Sequence, residues 1–285
     1  MQQELKWTYY NHALIPTTAP HEAVDEEALK QKGFWKSAGG HPFLARWTSN
    51  YDCPGPTEWW YVIKDQPFDF MDVGSNYRQK IRRGLKDFDI RIIEPTEYPE
   101  AMYTVEAEAL AVYPAKYRPK LNHDQFVSSL KDRHKYNCIT FAAFEKETDE
   151  LAGYMCIIDH TSYISLYALK TRPSMEKKQL NAALVYGMLE HFNNDIAQGI
   201  YIVDGERSVL HETQFQDYLE KYFGFRKAYC RLHIRYRGGI RLIIACLYPI
   251  RGLLRALNEV KFICQINSVL KMEDIIRKQK GSCGA

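Results

Sequence analysis

The stretch LAGYMCIIDHTSYISLYALKTRPSMEKKQLNAALVYGMLEHFNN, residues 151–194, decides the fold of this chain. Two apolar runs rich in β-forming residues, Leu151–Ile158 and Tyr163–Leu169, flank a polar turn, and this pattern predicts a β-hairpin. After Pro173, apolar residues recur at a four-residue spacing from Leu180, which places them along one helix face. The segment therefore predicts a strand that leads through a short turn into a long helix. The N-terminus of such a helix presents free N–H groups and a positive dipole end, which suit a phosphate.

The composition of the 285-residue chain is that of a folded protein. Hydrophobic residues make up 46% and aromatic residues 13%, which excludes an intrinsically disordered chain. The net charge of +3 creates no global field that would demand a nucleic-acid partner. Seven cysteines without a C-x-x-C pair, and no signal peptide, indicate reduced thiols in a cytoplasmic protein. No apolar run approaches the roughly 20 residues that span a bilayer.

A basic helix is predicted ahead of the central stretch. Residues 1–40 are expected to be irregular apart from one helix around Val24–Lys32. The next predicted helix runs from Ser75 to about Asp87, and it carries three basic side chains at four-residue spacing. These side chains, which together form the basic stripe, are Arg78, Arg82 and Lys86. The stripe is either a solvated helix face or a groove for an anionic substrate or for the phosphates of a carrier.

From Ile90 onward the predicted elements are strand, helix, helix, three strands, long helix, strand, helix and strand. Over roughly residues 89–237 this order resembles the GNAT superfamily of N-acyltransferases. The resemblance implies an α+β fold with a mixed, mostly antiparallel central sheet flanked by helices. In that family a P-x-x-R-G-x-G-x-G/A loop holds the pyrophosphate of coenzyme A. Pro173 matches its proline, whereas Glu176 replaces the arginine and the glycines are absent.

Acyl-coenzyme A is the co-substrate that the resemblance implies. It would bind at the turn between the central hairpin and the long helix. The residues predicted to contact it are Leu169, Thr171, Lys177, Lys178 and Asn181. The two lysines would partly replace, as side-chain phosphate contacts, the close backbone approach that glycines permit.

Acyl transfer to an amine needs a base for the amine proton, a donor to the carbonyl oxygen and an acid for the leaving group. The polar segment after the fifth strand of the GNAT-like fold lies where that family places acceptor chemistry. Glu206 is the leading candidate base and His211 its competitor, because histidine titrates near neutrality. Tyr218 is the candidate acid. Asp204 and Arg207 are predicted to bind the substrate, as is the basic stripe. Alternatively, Asp204 and Arg207 form a structural ion pair. The scattered histidines predict no metal site.

The two ends of the chain are predicted to form separate modules. Residues 1–88 are interpreted as an incomplete N-terminal module whose basic helix resembles the Fem-like branch of aminoacyl and acyl transferases. Residues 238–285 are predicted to be a helical C-terminal extension, in which Ile240–Leu257 forms one helix kinked at Pro249 or a strand and a helix. Between residues 226 and 280 thirteen Lys and Arg outnumber three acids, a net charge of +10. This tail either packs on the domain or rests on an anionic membrane, at its inner face.

The predicted function is transfer of an acyl group from acyl-coenzyme A to an amino group of a polar acceptor, such as a sugar-nucleotide or an envelope precursor. Two alternatives stay open. A Fem-like transferase would use aminoacyl-tRNA, which the basic stripe favours. A non-enzymatic GNAT-like binding module would explain Glu176 and the missing glycines.

Overall fold

The computed structural model of the chain describes residues 6–113, 118–209, 214–258 and 260–281. Its contacts divide the chain into two compact units. Unit 1 consists of Met1–Tyr61, Glu206–Thr213 and Lys227–Ala285. Unit 2 consists of Val62–Gly205 and Gln214–Arg226.

The elements alternate between strands and helices along most of the chain. The strands are β1 (Trp7–Tyr10), β2 (Ala13–Pro16), β3 (Leu44–Ser49), β4 (Trp59–Lys64), β5 (Phe88–Ile93), β6 (Cys138–Glu145), β7 (Leu151–Asp159), β8 (Ile164–Thr171), β9 (Ile202–Glu206) and β10 (Arg226–Tyr236). The α-helices are α1 (Ser75–Asp87), α2 (Pro99–Ala111), α3 (His123–Asp132), α4 (Leu180–Ala197), α5 (Gln214–Phe223), α6 (Ile240–Leu247), α7 (Arg251–Ala256) and α8 (Lys261–Gly281).

The predicted order of elements is present from β5 to β10; unit 2 contains it as far as α5, and the last strand, β10, lies in unit 1 from Lys227 onward. Strands β5 to β8 pair as antiparallel neighbours in chain order, and β9 joins β8 in parallel. The predicted central hairpin is confirmed, since β7 ends at Asp159 and β8 begins at Ile164. The long helix is also confirmed as α4. The fold class is therefore the predicted one, a mixed and mostly antiparallel sheet with flanking helices.

The core of unit 2 explains why β7 is apolar along most of its length. Residues 151–157 are all buried, because helices pack on the sheet. Met102 and Val105 of α2 join Leu130 of α3 in one cluster with Phe144 and Tyr154. A strand covered by helices on its faces has no solvent side, so its sequence lacks the alternation of an exposed strand.

Unit 1 begins with a hairpin that the sequence did not predict. Strands β1 and β2 are joined by Asn11 and His12, both at positive φ (46° and 62°). Two-residue turns of this kind match the twist of the strands and usually contain glycine, which is absent here. The expected irregular segment at residues 1–40 is therefore wrong for residues 7–16, and the expected helix at Val24–Lys32 is only a short 3₁₀ turn at Glu27–Lys30.

The rest of unit 1 brings the C-terminal helices together with the first strands. Strand β3 pairs with β2 in parallel and with β10 in antiparallel register. Tyr236 of β10 donates a hydrogen bond of 2.8 Å to Glu273 of α8, and Ile275 of α8 is buried. The segment from Ile240 is helical on both sides of a 3₁₀ turn at Tyr248–Ile250, which confirms a helix interrupted at the proline.

These units differ from the predicted division at residues 88 and 237. Helix α1 belongs to unit 2 because it packs against α4. A methyl group added at Gly84 of α1 would lie 2.6 Å from the carbonyl oxygen of Gln179 and 3.0 Å from Cβ of Ala183. Helices α6 to α8 belong to unit 1, together with the N-terminal strands, rather than to an independent extension.

Candidate functional site

The parallel strands β8 and β9 are paired over only a short part of their length. The registered pairs are Ile164 with Ile202 and Ser165 with Val203, although β8 continues to Thr171. Strand β8 also contains a bulge at Tyr167, since Cys156 and Ile157 of β7 face Ala168 and Leu166. Residues of β8 beyond Ser165 therefore have no registered partner on β9. Ligands of open α/β sheets bind at such carboxyl ends of strands.

Asp204 is the third residue of β9 and directly follows Val203, the last residue of β9 that pairs with β8. Its side chain is half-buried, and burial raises the pKa of its carboxyl group to about 7, while a hydrogen bond from Gln216 of α5 acts in the opposite direction. Gln216 is itself buried. A carboxyl group with a pKa near neutrality can accept a proton and release it again, which is the property required of a general base.

Tyr218 lies two residues beyond Gln216 and about 200° further around the helix. Its side chain is in an aromatic cluster with α1, where its hydroxyl donates a hydrogen bond to Tyr77. Tyr77 in turn stacks on Tyr222 with ring centroids 3.9 Å apart. Burial raises the pKa of Tyr218 far above its ordinary value. The described contacts place Tyr218 with Tyr77 and do not bring it to Asp204.

The loop predicted to hold coenzyme A forms a 3₁₀ helix, Pro173–Lys178, followed by Gln179 in the left-handed conformation (φ 65°). Lys178 is bound to the carboxylate of Glu145, whereas Lys177 is exposed. The Oδ1 atom of Asn181, in the first turn of α4, is buried and accepts no hydrogen bond from the described residues. Of the two lysines, only Lys177 is therefore presented to solvent without an ion-pair partner in the part of the chain that the structure describes.

The other two predicted contacts, Leu169 and Thr171, lie at the end of β8. Leu169 is half-buried and Thr171 is buried. The N-terminus of α4 next to them is approached closely by α1 through Gly84. Helix α1 thus packs against the first turn of α4, at the helix end where the GNAT resemblance predicts the pyrophosphate.

The basic stripe lies on the outer side of α1. Arg78 donates to the carbonyl oxygen of Met71 over 2.7 Å, and the guanidinium of Arg82 lies 5.2 Å from the ring centroid of Phe70. Lys86 is exposed. Within the described part of the chain these three cations have no carboxylate partner, so the stripe stays available to an anion.

In unit 1, Glu206 is held by two side chains. Its Oε2 atom lies 2.7 Å from the guanidinium of Arg46, and its Oε1 accepts a hydrogen bond of 3.1 Å from the hydroxyl of Tyr61. Burial and the nearby Glu206 raise the pKa of Tyr61. Such an arrangement is typical of a structural ion pair. Arg207, also predicted to bind substrate, pairs with Glu58 over 3.0 Å.

Comparison with known proteins finds no matching family model and no matching curated protein. Similar solved structures include the C-terminal DUF2156 domain of a protein described as a lysylphosphatidylglycerol synthetase from Agrobacterium fabrum (11% identity, 85% of this chain and 82% of that chain, TM-score 0.48). L-PGS from Bacillus licheniformis is 13% identical over 81% of this chain and 79% of that chain, with a TM-score of 0.45. A GCN5-related N-acetyltransferase from Sphaerobacter thermophilus is 14% identical over 68% and 59%, with a TM-score of 0.39. From β5 to β10 the elements of this chain follow the order that the resemblance to the GNAT superfamily predicted. Each TM-score lies below 0.5, so function has to be inferred from this chain's own residues.

Two further predictions concern metal and membrane. Among the described side chains of the GNAT-like domain and of unit 1, no group of three or more His, Cys, Asp or Glu is arranged to hold a metal ion. Within the described ranges no helix combines the length and the apolarity needed to cross a membrane. The competing base His211 lies outside the described residues.

Gln216 is the contact of the GNAT-like domain that sequence reasoning missed. It shares the buried side of α5 with Leu219 and Phe223, at positions i, i+3 and i+7. A glutamine at the first position of such an apolar stripe indicates a buried polar contact. Its partner Asp204 could not be identified in this way, because it lies 12 positions earlier and no spacing motif in the sequence connects the two residues.

Proposed function

We propose that the GNAT-like domain transfers an acyl or aminoacyl group to an amino group of a polar acceptor, with Asp204 as the base. The observation that supports this proposal is the position of Asp204 directly after the last paired residues of β8 and β9, with a pKa of about 7. The amine nitrogen attacks the carbonyl carbon of the donor and its proton passes to Asp204. The bond from carbonyl carbon to the leaving sulfur or oxygen then breaks, and the leaving group takes up a proton.

The proposed base differs from Glu206, the candidate favoured from the sequence. Glu206 has Arg46 and Tyr61 as partners, so proton uptake would disrupt an ion pair that is largely buried. Asp204 has a neutral partner, Gln216, and uptake of a proton breaks no ion pair there. Tyr218 stays the candidate acid for the leaving group, although its hydroxyl donates to Tyr77 in the structure.

Acyl-coenzyme A is the first candidate donor. The turn from β8 into α4 and the exposed Lys177 support it. A second candidate, aminoacyl-tRNA, is favoured by different observations. Lys178 is already bound to Glu145, and α1 both approaches the N-terminus of α4 and presents the basic stripe beside it. Phosphates of a nucleic acid would be attracted to such a stripe.

A ligand search followed by kinetics tests the proposal. Native mass spectrometry and calorimetry with acyl-coenzyme A and with aminoacyl-tRNA identify the donor. Turnover of the donor that binds is then measured for Asp204→Asn and Glu206→Gln. We expect kcat of the Asp204 variant to fall on the order of 10²-fold or more at unchanged donor affinity, and wild-type kcat/KM to rise with pH up to about 7. Near-normal turnover of that variant would refute the base. No donor binding at millimolar concentration would support a non-enzymatic binding module.

We also propose that unit 1 contacts an anionic membrane surface, where lipid-linked or envelope acceptors would be found. Apolar side chains in α6, α7 and the start of α8 are strongly exposed, among them Leu242 (70%), Leu253 (72%) and Phe262 (69%). The sequence from Ile240 to Asn258 contains three arginines and no acidic residue. An apolar surface flanked by cations matches the boundary between acyl chains and anionic headgroups.

Vesicle sedimentation tests this contact. Full-length protein should bind vesicles that contain phosphatidylglycerol and bind pure phosphatidylcholine weakly. Leu253→Glu should reduce the partition coefficient on the order of 10-fold, because burial of one leucine contributes about 1.5–3 kcal/mol. Val112→Glu, at an equally exposed position of unit 2 (66%), is the matched control. Equal binding of both variants would contradict the proposed surface.

A further inference from the structure

A cavity of about 750 Å³ lies in unit 2, at the start of α1 and the end of α5. Its walls include Val73–Tyr77 on one side and Glu220–Gly224 on the other, and Lys64 of β4 contributes the inner wall. Neither Asp204 nor Gln216 lines it. The candidate acid Tyr218 does not line the cavity either, but its hydroxyl donates to Tyr77 in the cavity wall. The ligand of the cavity can be identified whether or not Asp204 is the base.

Lys64 is the buried cation of this cavity. It is only 5% exposed, and it has no hydrogen bond or ion-pair partner among the described residues. The neighbouring Asp65 is engaged by the guanidinium of Arg226. Burial lowers the pKa of Lys64, while Asp65 and Asp72 act in the opposite direction. These two carboxylates form no hydrogen bond or ion pair with Lys64. Burial of an ammonium group away from water is unfavourable, so an anionic ligand in direct contact would stabilise its charged form.

The N-terminus of α1 points to the same conclusion. Gly74 is the N-cap residue, and no side chain caps the helix. The N–H groups of Tyr77 and Arg78 already donate to the carbonyl oxygen of Gly74. The two preceding residues, Ser75 and Asn76, line the cavity at the first turn. Uncapped N–H groups and the helix dipole both favour an anion at this end.

The charged side chains that line the cavity differ in their exposure to solvent. Lys64 is buried, whereas Lys80, Lys221, Asp69 and Asp72 are exposed. Half-buried Glu220 also lines the cavity. Asp69 is occupied as the acceptor for the N–H of Met71 over 2.7 Å. The charges of Lys80, Lys221, Asp69 and Asp72 therefore lie at the mouth, whereas the ammonium group of Lys64 and the Oε1 atom of Glu220 are buried.

We propose that this cavity binds a phosphate-bearing small molecule, whose phosphate is held by Lys64 and the N-terminus of α1. A volume of about 750 Å³ exceeds that of a phosphate ion and leaves room for an organic part. The rings of Phe68, Tyr77, Tyr222 and Phe223 form an aromatic wall against which that part would lie. Lys80, whose Nζ lies 5.4 Å from the ring centroid of Tyr77, is placed to add a second cation at the rim.

Thermal shift and calorimetry on the full-length protein test the site with three probes: inorganic phosphate, adenosine monophosphate and glycerol 3-phosphate. We expect at least one probe to stabilise the wild type, and Lys64→Met to lower its affinity on the order of 10- to 100-fold. Methionine has a similar shape and no charge, so the variant without ligand should melt at a higher temperature than the wild type. Tighter binding of the nucleotide than of inorganic phosphate would indicate contact with the aromatic wall. Tighter binding of glycerol 3-phosphate would indicate a lipid-type headgroup.

A second variant keeps the test informative if Lys64→Met does not fold. Asn76→Asp places a carboxylate in the first turn of α1, where it favours the helix but repels a phosphate. Its matched control is Asn122→Asp at the N-cap of α3, which makes the same charge change at another helix end of unit 2. We expect Asn76→Asp to lose phosphate binding and the control to keep it. Wild-type protein unaffected by all three probes at about 10 mM, or equal affinity in Asn76→Asp, would overturn the proposal.

Discussion

Replacing Asp204 by asparagine tests whether the pKa of its carboxyl group is raised, and the test needs no substrate. The amide retains an oxygen that can accept the hydrogen bond from Gln216, and it has nearly the same shape, but it cannot ionise. The carboxyl group has a pKa of about 7 in the folded protein against an ordinary value of 3.8. Between about pH 4 and 7 the folded state therefore binds a proton that the unfolded state has already released.

The magnitude follows from linkage. Because the folded protein binds more protons than the unfolded chain between about pH 4 and 7, the free energy of unfolding of the wild type falls as the pH rises through this window. A difference of about three pKa units corresponds to about 4 kcal/mol, and partial solvent exposure of Asp204 reduces it to roughly 2–4 kcal/mol. The free energy of unfolding of Asp204→Asn does not fall in this way, because asparagine does not titrate. Its stability advantage should therefore grow from near zero at pH 4 to a plateau above about pH 7.

Thermal unfolding at pH 5, 6, 7 and 8 measures the difference. At pH 8 we expect Asp204→Asn to melt on the order of 5–10 °C above the wild type, with most of the gain lost at pH 5. Asp217→Asn, an exposed residue of α5, makes the same chemical change without burial and should follow the wild type. A variant no more stable than the wild type at pH 8, or an advantage equal at every pH, would refute the assignment of a raised pKa.

Three further predictions concern the other candidate residues. Glu206→Gln should lower the free energy of unfolding by roughly 1–3 kcal/mol, because it leaves the largely buried Arg46 with a neutral partner; full stability with lost turnover would instead make Glu206 catalytic. Replacement of the whole basic stripe by glutamine should change the melting temperature little and weaken donor or acceptor binding in calorimetry, and unchanged binding would identify a solvated face. Lys177→Glu should weaken coenzyme A binding in calorimetry relative to the control Lys131→Glu if the loop after β8 holds the pyrophosphate, and equal affinities would exclude that location.

The central stretch could be predicted because its signals are local. The two apolar runs that form the β7–β8 hairpin are close together in the sequence, and the four-residue spacing of apolar residues in α4 repeats within one helix. The β1–β2 hairpin has no such signal, because Asn11 and His12 adopt the positive φ that glycine usually supplies. Local pattern therefore identified the GNAT-like order and failed where a turn used unusual residues.

The candidate site was less predictable because its contacts connect distant parts of the chain. Asp204 was recognised as polar and suitably placed, but its raised pKa results from burial that only the folded chain provides. Glu206 was preferred as the base since nothing near it in sequence indicates its partner Arg46, 160 positions earlier. Lys64 ends a strand, where a lysine is ordinarily exposed, so its burial could not be inferred.

The division of the chain into two units governs the order in which its parts can fold. Every residue of unit 2 has been synthesised once Arg226 leaves the ribosome, whereas unit 1 needs Lys227 onward as well as its first segment. Strand β3 in particular acquires its neighbour β10 only after about 180 further residues have been made. We therefore expect unit 2 to fold first during synthesis, and strands β1 to β3, although translated before unit 2, to find their long-range partners after it.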